Sequence, residues 1–569
     1  MCGILFHKKT NLNKSLFIKN LEKLNHRGPD DSAYYFINDV AIGHNRLSII
    51  DTSKKGQQPM FSKCNRYSIT FNGEIYNFLS LRNELKLKGY KFTSNSDTEV
   101  LLNGFVEYKY KILEKIDGIF AFVIYDSLLD EIFFARDQFG VKPLYYYKSN
   151  DELIISSETR IFNQTHDIDE KSKILFLSHG YIPSPNTIFK DVYSLLPGKY
   201  VVLKNDILTI SEYFSIISEI ENKNEVYNNN LLIEAISKQL VSDAKIGTFF
   251  SGGIDSSIIT YEANKLNKNL SSYSINFKDY DDEEVYQKTL ISKYAINNIS
   301  KQIGIKEFKE SLSTFIKSMD MPTIDGFNTY FISKLVSENN IKVALSGLGS
   351  DEIFYGYPIH KKSSILNFLK IIIKFLPLKI LPNKFQKLDY LLLRSDYGVY
   401  LSQRGIFSIN EISKILNISK LEIISYLNKN SPDSKELEKL SFKNKIGYYE
   451  LSRYMEGQLL RDTDVFGMRN SIEIRVPFLD IYLFKNIMKV DPKLKINNLF
   501  NKQVLINFYK NILPKKIYSR SKSGFELPYK KWLNKVKIKD HVIANYNLKS
   551  LKDSHWSKIW ALYVLDKKY

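Results

Sequence analysis

The sequence predicts two folded units of different class: an N-terminal layered α+β unit, and a C-terminal α/β unit built on a doubly wound parallel sheet with helical additions. Three observations predict this. At 569 residues the chain exceeds what one hydrophobic core serves, so two or three domains are expected. Up to about residue 205, short β-branched and aromatic runs bounded by turn residues dominate, with helical periodicity between them. Beyond about residue 231, short apolar runs alternate with Gly/Ser loops and helix-like stretches, the pattern of strand–loop–helix units in a parallel sheet.

In chain order, "YSITFNGEIYN", "GIFAFVIYD", "EIFFARD" and "ELIISSE" read as strands, while "NFLSLRNELKLKGY" and "SDTEVLLNGFVEYKY" carry apolar residues at helical spacing. This first domain is expected over 1–205. A linker is expected over 206–230, because "ISEIENKNEVYNNN" is polar, Asn-rich and poor in large apolar residues. In the second domain, 231–569, "IGTFF" is a buried-strand run followed by a Gly/Ser loop and the helical "SIITYEANKL". "SSYSINF" and "IKVALSG" are further strands, and from about 360 the pattern is mainly helical.

Composition narrows the function classes. Two cysteines, Cys2 and Cys64, make no disulfide framework and suit a reducing, cytoplasmic setting. The start lacks a basic region followed by a long apolar run, so no secretory signal is read. The most membrane-like stretch, "SSILNFLKIIIKFLPLKILPNKF", is broken by Lys370, Lys374, Pro377 and Lys379, which favours an amphipathic helix pair over membrane insertion. The net charge of +19 raises nucleic-acid binding. The lysines are scattered, however, without an Arg-rich tail or aromatic-basic strip, so anionic small molecules are the expected partners. Oligomeric state is not legible.

Two loops carry chemistry. "SGGIDSS" (251–257) lies between a strand and a helix. Gly252 and Gly253 let backbone amides approach an anion, and the helix N-terminus adds favourable potential. Ser251, Ser256 and Ser257 offer hydroxyls, and Asp255 can hold magnesium against phosphates. It lacks the Gly-Lys-Ser/Thr ending of a Walker A loop. The second loop, "LSGLGSDEIFYGY" (345–357), brings Ser346, Gly347 and Asp351 to a neighbouring strand end. Acidic residues beside a phosphate site need a cation between them, so Asp255 and Asp351 are expected to share magnesium.

The first loop resembles the pyrophosphate loop of the ATP pyrophosphatases. "MCGI", "HRGPDD", "HNRLSIID", "NGEIYN", "SNSDTE" and "RDQFGVKPLYY" together resemble the N-terminal-nucleophile type of glutamine amidotransferase domain. The combination, spanning essentially the whole chain, resembles the glutamine-dependent asparagine synthetase family. That resemblance implies loss of Met1, with Cys2 as nucleophile and its own α-amine, of near-neutral pKa, as base. It implies Asn72 and Gly73 as oxyanion donors, with Arg46, Glu74 and Asp97 binding glutamine's carboxylate and ammonium. It places Phe249, Ile275, Ser346 and Gly347 at the ATP site, and assigns Lys502 to stabilising charge during adenylate formation. "RDTDVFGMRNSIEIRVPFLD" (461–480) is expected to shape the acceptor pocket and the wall of an ammonia tunnel.

Leu348 departs from the family pattern, which places glutamate there. The expected acceptor is aspartate, giving asparagine with ATP split to AMP and pyrophosphate. A sugar uronate is the alternative, since leucine neither orients ammonia nor binds a charged group. A non-catalytic nucleotide-binding relative is a third reading, opposed by the intact Cys2, Asn72, Asp97 and Asp351.

Overall fold

A computed structural model describes residues 2–220, 225–278, 284–362, 365, 367, 368, 383–496, 501–519, 527–546 and 554–569. The N-terminal unit is two six-stranded antiparallel sheets stacked face to face. In the first, Gly3–Lys9 lies centrally, flanked by Val40–Arg46 and Glu152–Ser156. In the second, Tyr67–Ile75 pairs with Gly118–Asp126, which pairs with Glu131–Arg136. Side chains alternate along a strand. Ile4 and Phe6 therefore point into the inter-sheet core with Ile42, Val123 and Phe134, while Leu5 points outward onto helices Lys14–Glu22 and Ser172–His179. Each such fully buried side chain contributes about 1.5–3 kcal/mol. The other sheet's outer face packs on helices Phe78–Leu87 and Asp97–Tyr108, so the unit has four layers, with helix outside sheet on both sides.

The C-terminal unit holds a five-stranded, wholly parallel sheet. Its order is Asn298–Ile303, Ser271–Phe277, Ile246–Phe249, Val343–Leu345 and Glu473–Arg475. The chain winds outward from Ile246–Phe249 in one direction, then returns to add Val343–Leu345 on the other side. These two neighbouring strands mark the point where strand order reverses, and ligands bind at the carboxyl ends there.

The expected linker is ordered at both ends. Ile207–Glu212 is a strand paired with Lys199–Lys204 in the second antiparallel sheet, and Asn230–Gln239 is already helix. The expected helix pair over 363–385 lies almost entirely outside the described residues. Among the described residues no helix is long and apolar enough to cross a membrane. Beyond residue 383 helices dominate, apart from Glu473–Arg475. One, Glu450–Leu460, is a π-helix that runs directly into the α-helix Arg461–Arg469. Such wide turns are rare and concentrate at functional sites.

Candidate active site

Two sites emerge, one in each unit. At the first, Cys2 precedes the central strand and is 7% exposed. Its backbone nitrogen donates to Asn72 Oδ1 at 2.8 Å, so the carboxamide of a neighbouring sheet holds the residue from its amine side. Asn72 Nδ2 is buried without a partner among the described residues, a donor available to an oxyanion. Gly73 follows where strands approach closely: a Cβ there would sit 2.7 Å from the Phe120 Cα. Burial pushes the Cys2 thiol up from its ordinary value. A thiol so placed needs a base, and the one expected for it is the α-amine that loss of Met1 would expose on the same residue.

The residues expected to bind glutamine surround this point. Asp97 opens its helix, but Ser96 performs the capping, accepting from Thr98 N at 3.0 Å. Asp97 instead accepts from Ile75 N at 3.0 Å, and burial lifts its carboxyl to about 6. The Arg46 guanidinium is tied to the backbone carbonyls of Ser53 at 2.9 Å and Asp51 at 2.5 Å, which fixes its orientation. Glu74 faces the C-terminal unit, its Oε1 3.4 Å from Arg475, which also pairs with Glu473 at 2.6 Å. Burial and the adjacent Glu473 charge push the Glu74 carboxyl well up.

At the second site, the loop after Ile246–Phe249 turns through Gly252 at φ +84°, a left-handed conformation suited to glycine. Ser251 and Ser256 hydroxyls meet at 3.0 Å, and Gly253 N donates to Ser251 Oγ at 3.2 Å. The second loop packs against it so tightly that a Cβ on Gly347 would sit 2.8 Å from Ser256 N. Between them Lys502 Nζ reaches Asp255 at 2.6 Å and Asp351 at 2.7 Å, while Ser350 donates to Asp255 at 2.7 Å. Lys502 is 5% exposed, and the two carboxylates hold its ammonium above the ordinary value against the burial penalty. The amine thus occupies the space between Asp255 and Asp351, the pair expected to share magnesium, and among the described residues no group of three or more His, Cys, Asp or Glu side chains could hold a metal ion.

This cluster lines a cavity of about 790 Å³, within the size range of small-molecule sites. Ser251, Gly253, Asp255, Leu348, Asp351 and Lys502 form one end of it. Tyr181, Tyr357, Tyr400, Arg404, Tyr454 and Trp556 form much of the rest. Phe249, Ile275, Ser346 and Gly347 are not on its wall: Ile275 is core, Phe249 packs against that core, and Ser346 accepts from Leu348 N at 3.3 Å. Ser257 is buried under the loop.

Residues 1–214 match the glutamine amidotransferase domain model, and residues 229–560 match the asparagine synthase model. The chain belongs to the asparagine synthase family. Asparagine synthetase (glutamine-hydrolyzing) 1 of Bacillus subtilis is 31% identical, over 100% of this chain and 93% of that protein. Asparagine synthetase (glutamine-hydrolyzing) 3 of the same species is 29% identical over 92% and 87%. Amidase chyE of Penicillium rubens is 24% identical over 95% and 88%, so proteins named for more than one activity are similar along most of this chain.

Several site residues are not legible in the sequence. Gly356 abuts both Asp351 and Lys502, so a side chain there would collide with them. Tyr454, Gln458 and Leu459 reach the cavity from the π-helix, and no periodicity marks them in the sequence. Arg27 lies within the quoted "HRGPDD", but its role depends on partners far along the chain.

Proposed function

We propose that the protein is a glutamine-dependent carbon–nitrogen ligase. Cys2 attacks the side-chain amide of glutamine and releases ammonia, and water then hydrolyses the glutamyl thioester. The C-terminal unit transfers AMP from ATP to a carboxylate, expelling pyrophosphate, and ammonia displaces AMP to leave an amide. A free carboxylate resists ammonia because its leaving group is poor; adenylation removes that obstacle. The observation that carries this reading is the coexistence in one chain of Asn72 clasping Cys2 and Lys502 bridging two strand-end loops.

Each group has a task. Asn72 Nδ2 and Gly73 N donate to the oxyanion of the tetrahedral intermediate. Arg46, Glu74 and Asp97 bind the ends of glutamine. The 251–257 loop receives the polyphosphate, and Lys502 balances charge on the α-phosphate as pyrophosphate departs. Asp255 and Asp351 would hold magnesium, which supplies neutralisation of polyphosphate charge when bound.

The acceptor proposed is L-aspartate, supported by the full-length similarity to asparagine synthetases. A second reading, a sugar uronate, is supported by Leu348 on the cavity wall and by the aromatic far end. An acceptor screen separates them. Pyrophosphate release in the presence of ammonium should depend on aspartate and not on uronic acids. Release driven by uronates alone would replace aspartate while leaving the two-site reaction standing.

A further inference from the structure

The π-helix Glu450–Leu460 and the α-helix Arg461–Arg469 form one continuous rod with two working faces. Tyr454, Gln458 and Asp462 line the nucleotide cavity. The other face is bound to the N-terminal unit. Arg136 pairs with Glu456 at 2.9 Å, Ser184 donates to Glu456 at 2.7 Å, and Arg453 donates to Ser184 O at 2.7 Å.

At the far end, Asp464 meets Arg27 in a two-pronged contact, Nη1 to Oδ2 at 2.7 Å and Nη2 to Oδ1 at 3.1 Å. Arg27 also donates Nη1 to Glu158 at 2.9 Å and Nε to the carbonyl of Cys2 at 3.0 Å. Arg27 is fully buried, Asp464 is 2% exposed and Glu158 is fully buried. The guanidinium is planar, so its three edges are set together: fixing the Nη pair on Asp464 fixes where Nε points. What Nε holds is the main chain of the nucleophile.

From this geometry we infer that Asp464, a residue of the synthetase unit, is a positioning residue for glutamine hydrolysis, orienting Cys2 through Arg27. The inference rests on Cys2 being the nucleophile. Asp464 touches neither glutamine nor the thiol. Its effect is on the attack geometry, where a displacement of an ångström costs up to roughly a hundredfold in rate. Glutamine binding, supplied by other residues, is left alone. Glu158 does not replace the contact: it holds only Nη1, so without Asp464 the prong on Nη2 is lost.

The test uses the full-length protein with four variants, measuring glutamate from glutamine and, separately, pyrophosphate release driven by ammonium. Asp464→Asn should lower glutaminase kcat roughly ten- to a hundredfold, with KM for glutamine within about twofold. Ammonium-driven pyrophosphate release should stay within about twofold of wild type because, of the stretch 461–480 expected to shape the acceptor pocket, Asp462 and Thr463 line the cavity and Asp464 does not. Arg27→Lys keeps the charge and loses the fork, and should show the same split. The double variant should be no worse than the poorer single one, because both break one linkage. A glutaminase kcat within twofold of wild type in Asp464→Asn overturns the inference. If that variant fails to fold, normal kcat in Arg27→Lys overturns it equally. Cys2→Ala is the separate control: glutamate production surviving in it refutes the nucleophile itself, whereas its loss beside a normal Asp464→Asn refutes only the positioning role.

Discussion

Asp97 shows how burial gives a side chain its pH range. Its carboxyl is lifted to about 6, so it is ionised above that pH and protonated below. With the α-amine of Cys2 as the proposed base, kcat/KM for glutamine should fall below about pH 7.7 as that base is protonated. Asp97 adds a second proton, so the fall should steepen from about tenfold to about a hundredfold per pH unit below about 6. Asp97→Asn should remove the steepening and raise KM. A profile of wild type with one proton throughout would contradict the assignment. Leu348 makes the complementary point for the acceptor. Leu348→Glu places a carboxylate on the wall of the cavity beside Asp255 and Asp351. Its desolvation and repulsion should slow adenylation by roughly one to two powers of ten at saturating ATP. Pyrophosphate release checks this, and an unchanged rate would show that Leu348 lies away from the reacting atoms. At this scale the sequence was most informative where chemistry is written in neighbouring letters, as in "NGEIYN" and "SGGIDSS". The resemblance places Phe249 and Ile275 at the ATP site, whereas they lie in or against the core, because an apolar strand residue reads the same whether it faces a ligand or the core.

The elements explain why two short loops make a site. Both leave carboxyl ends of adjacent parallel strands where the winding reverses, so residues about 95 apart in sequence, such as Asp255 and Ser350, come within hydrogen-bond distance. Gly347 permits the approach. Gly347→Ala should force Ser256 N and the Asp255 backbone apart, since the added carbon would lie 2.8–2.9 Å from both. Pyrophosphate release should fall at least about tenfold while glutaminase activity persists; retention of full synthetase activity would mean the loops yield more freely than their packing implies. The alternation of strands and helices made this sheet predictable, and strand runs made the antiparallel unit predictable. The π-helix was not predictable. Its eleven residues, "ELSRYMEGQLL", carry no mark distinguishing a wider turn from an α-helix.

At the scale of the whole molecule, the interface between the units combines shared apolar clusters, with the Phe139 and Phe484 rings 4.9 Å apart, and buried ion pairs. Arg27 with Asp464, Glu74 with Arg475, and Arg136 with Glu456 all cross it. Removing one partner of a buried ion pair of this kind costs about 3–5 kcal/mol, because the other charge is left buried and unpaired. Nothing in the sequence announces them: Arg27 and Asp464 are 437 residues apart, and only the folded chain reveals the pair. In the proposed reaction one chain moves nitrogen from glutamine to an adenylated carboxylate. The direct measurement is transfer from amide-15N-labelled glutamine to product, with ATP and aspartate, in wild type and in Cys2→Ala. In wild type, labelled amide, glutamate and pyrophosphate should appear together, with no labelled product when ATP is withheld. In Cys2→Ala the labelled amide should vanish while unlabelled ammonium still drives pyrophosphate release. Labelled product persisting in Cys2→Ala, or glutamine consumed by wild type with no acceptor-dependent pyrophosphate for any carboxylate, would contradict the account.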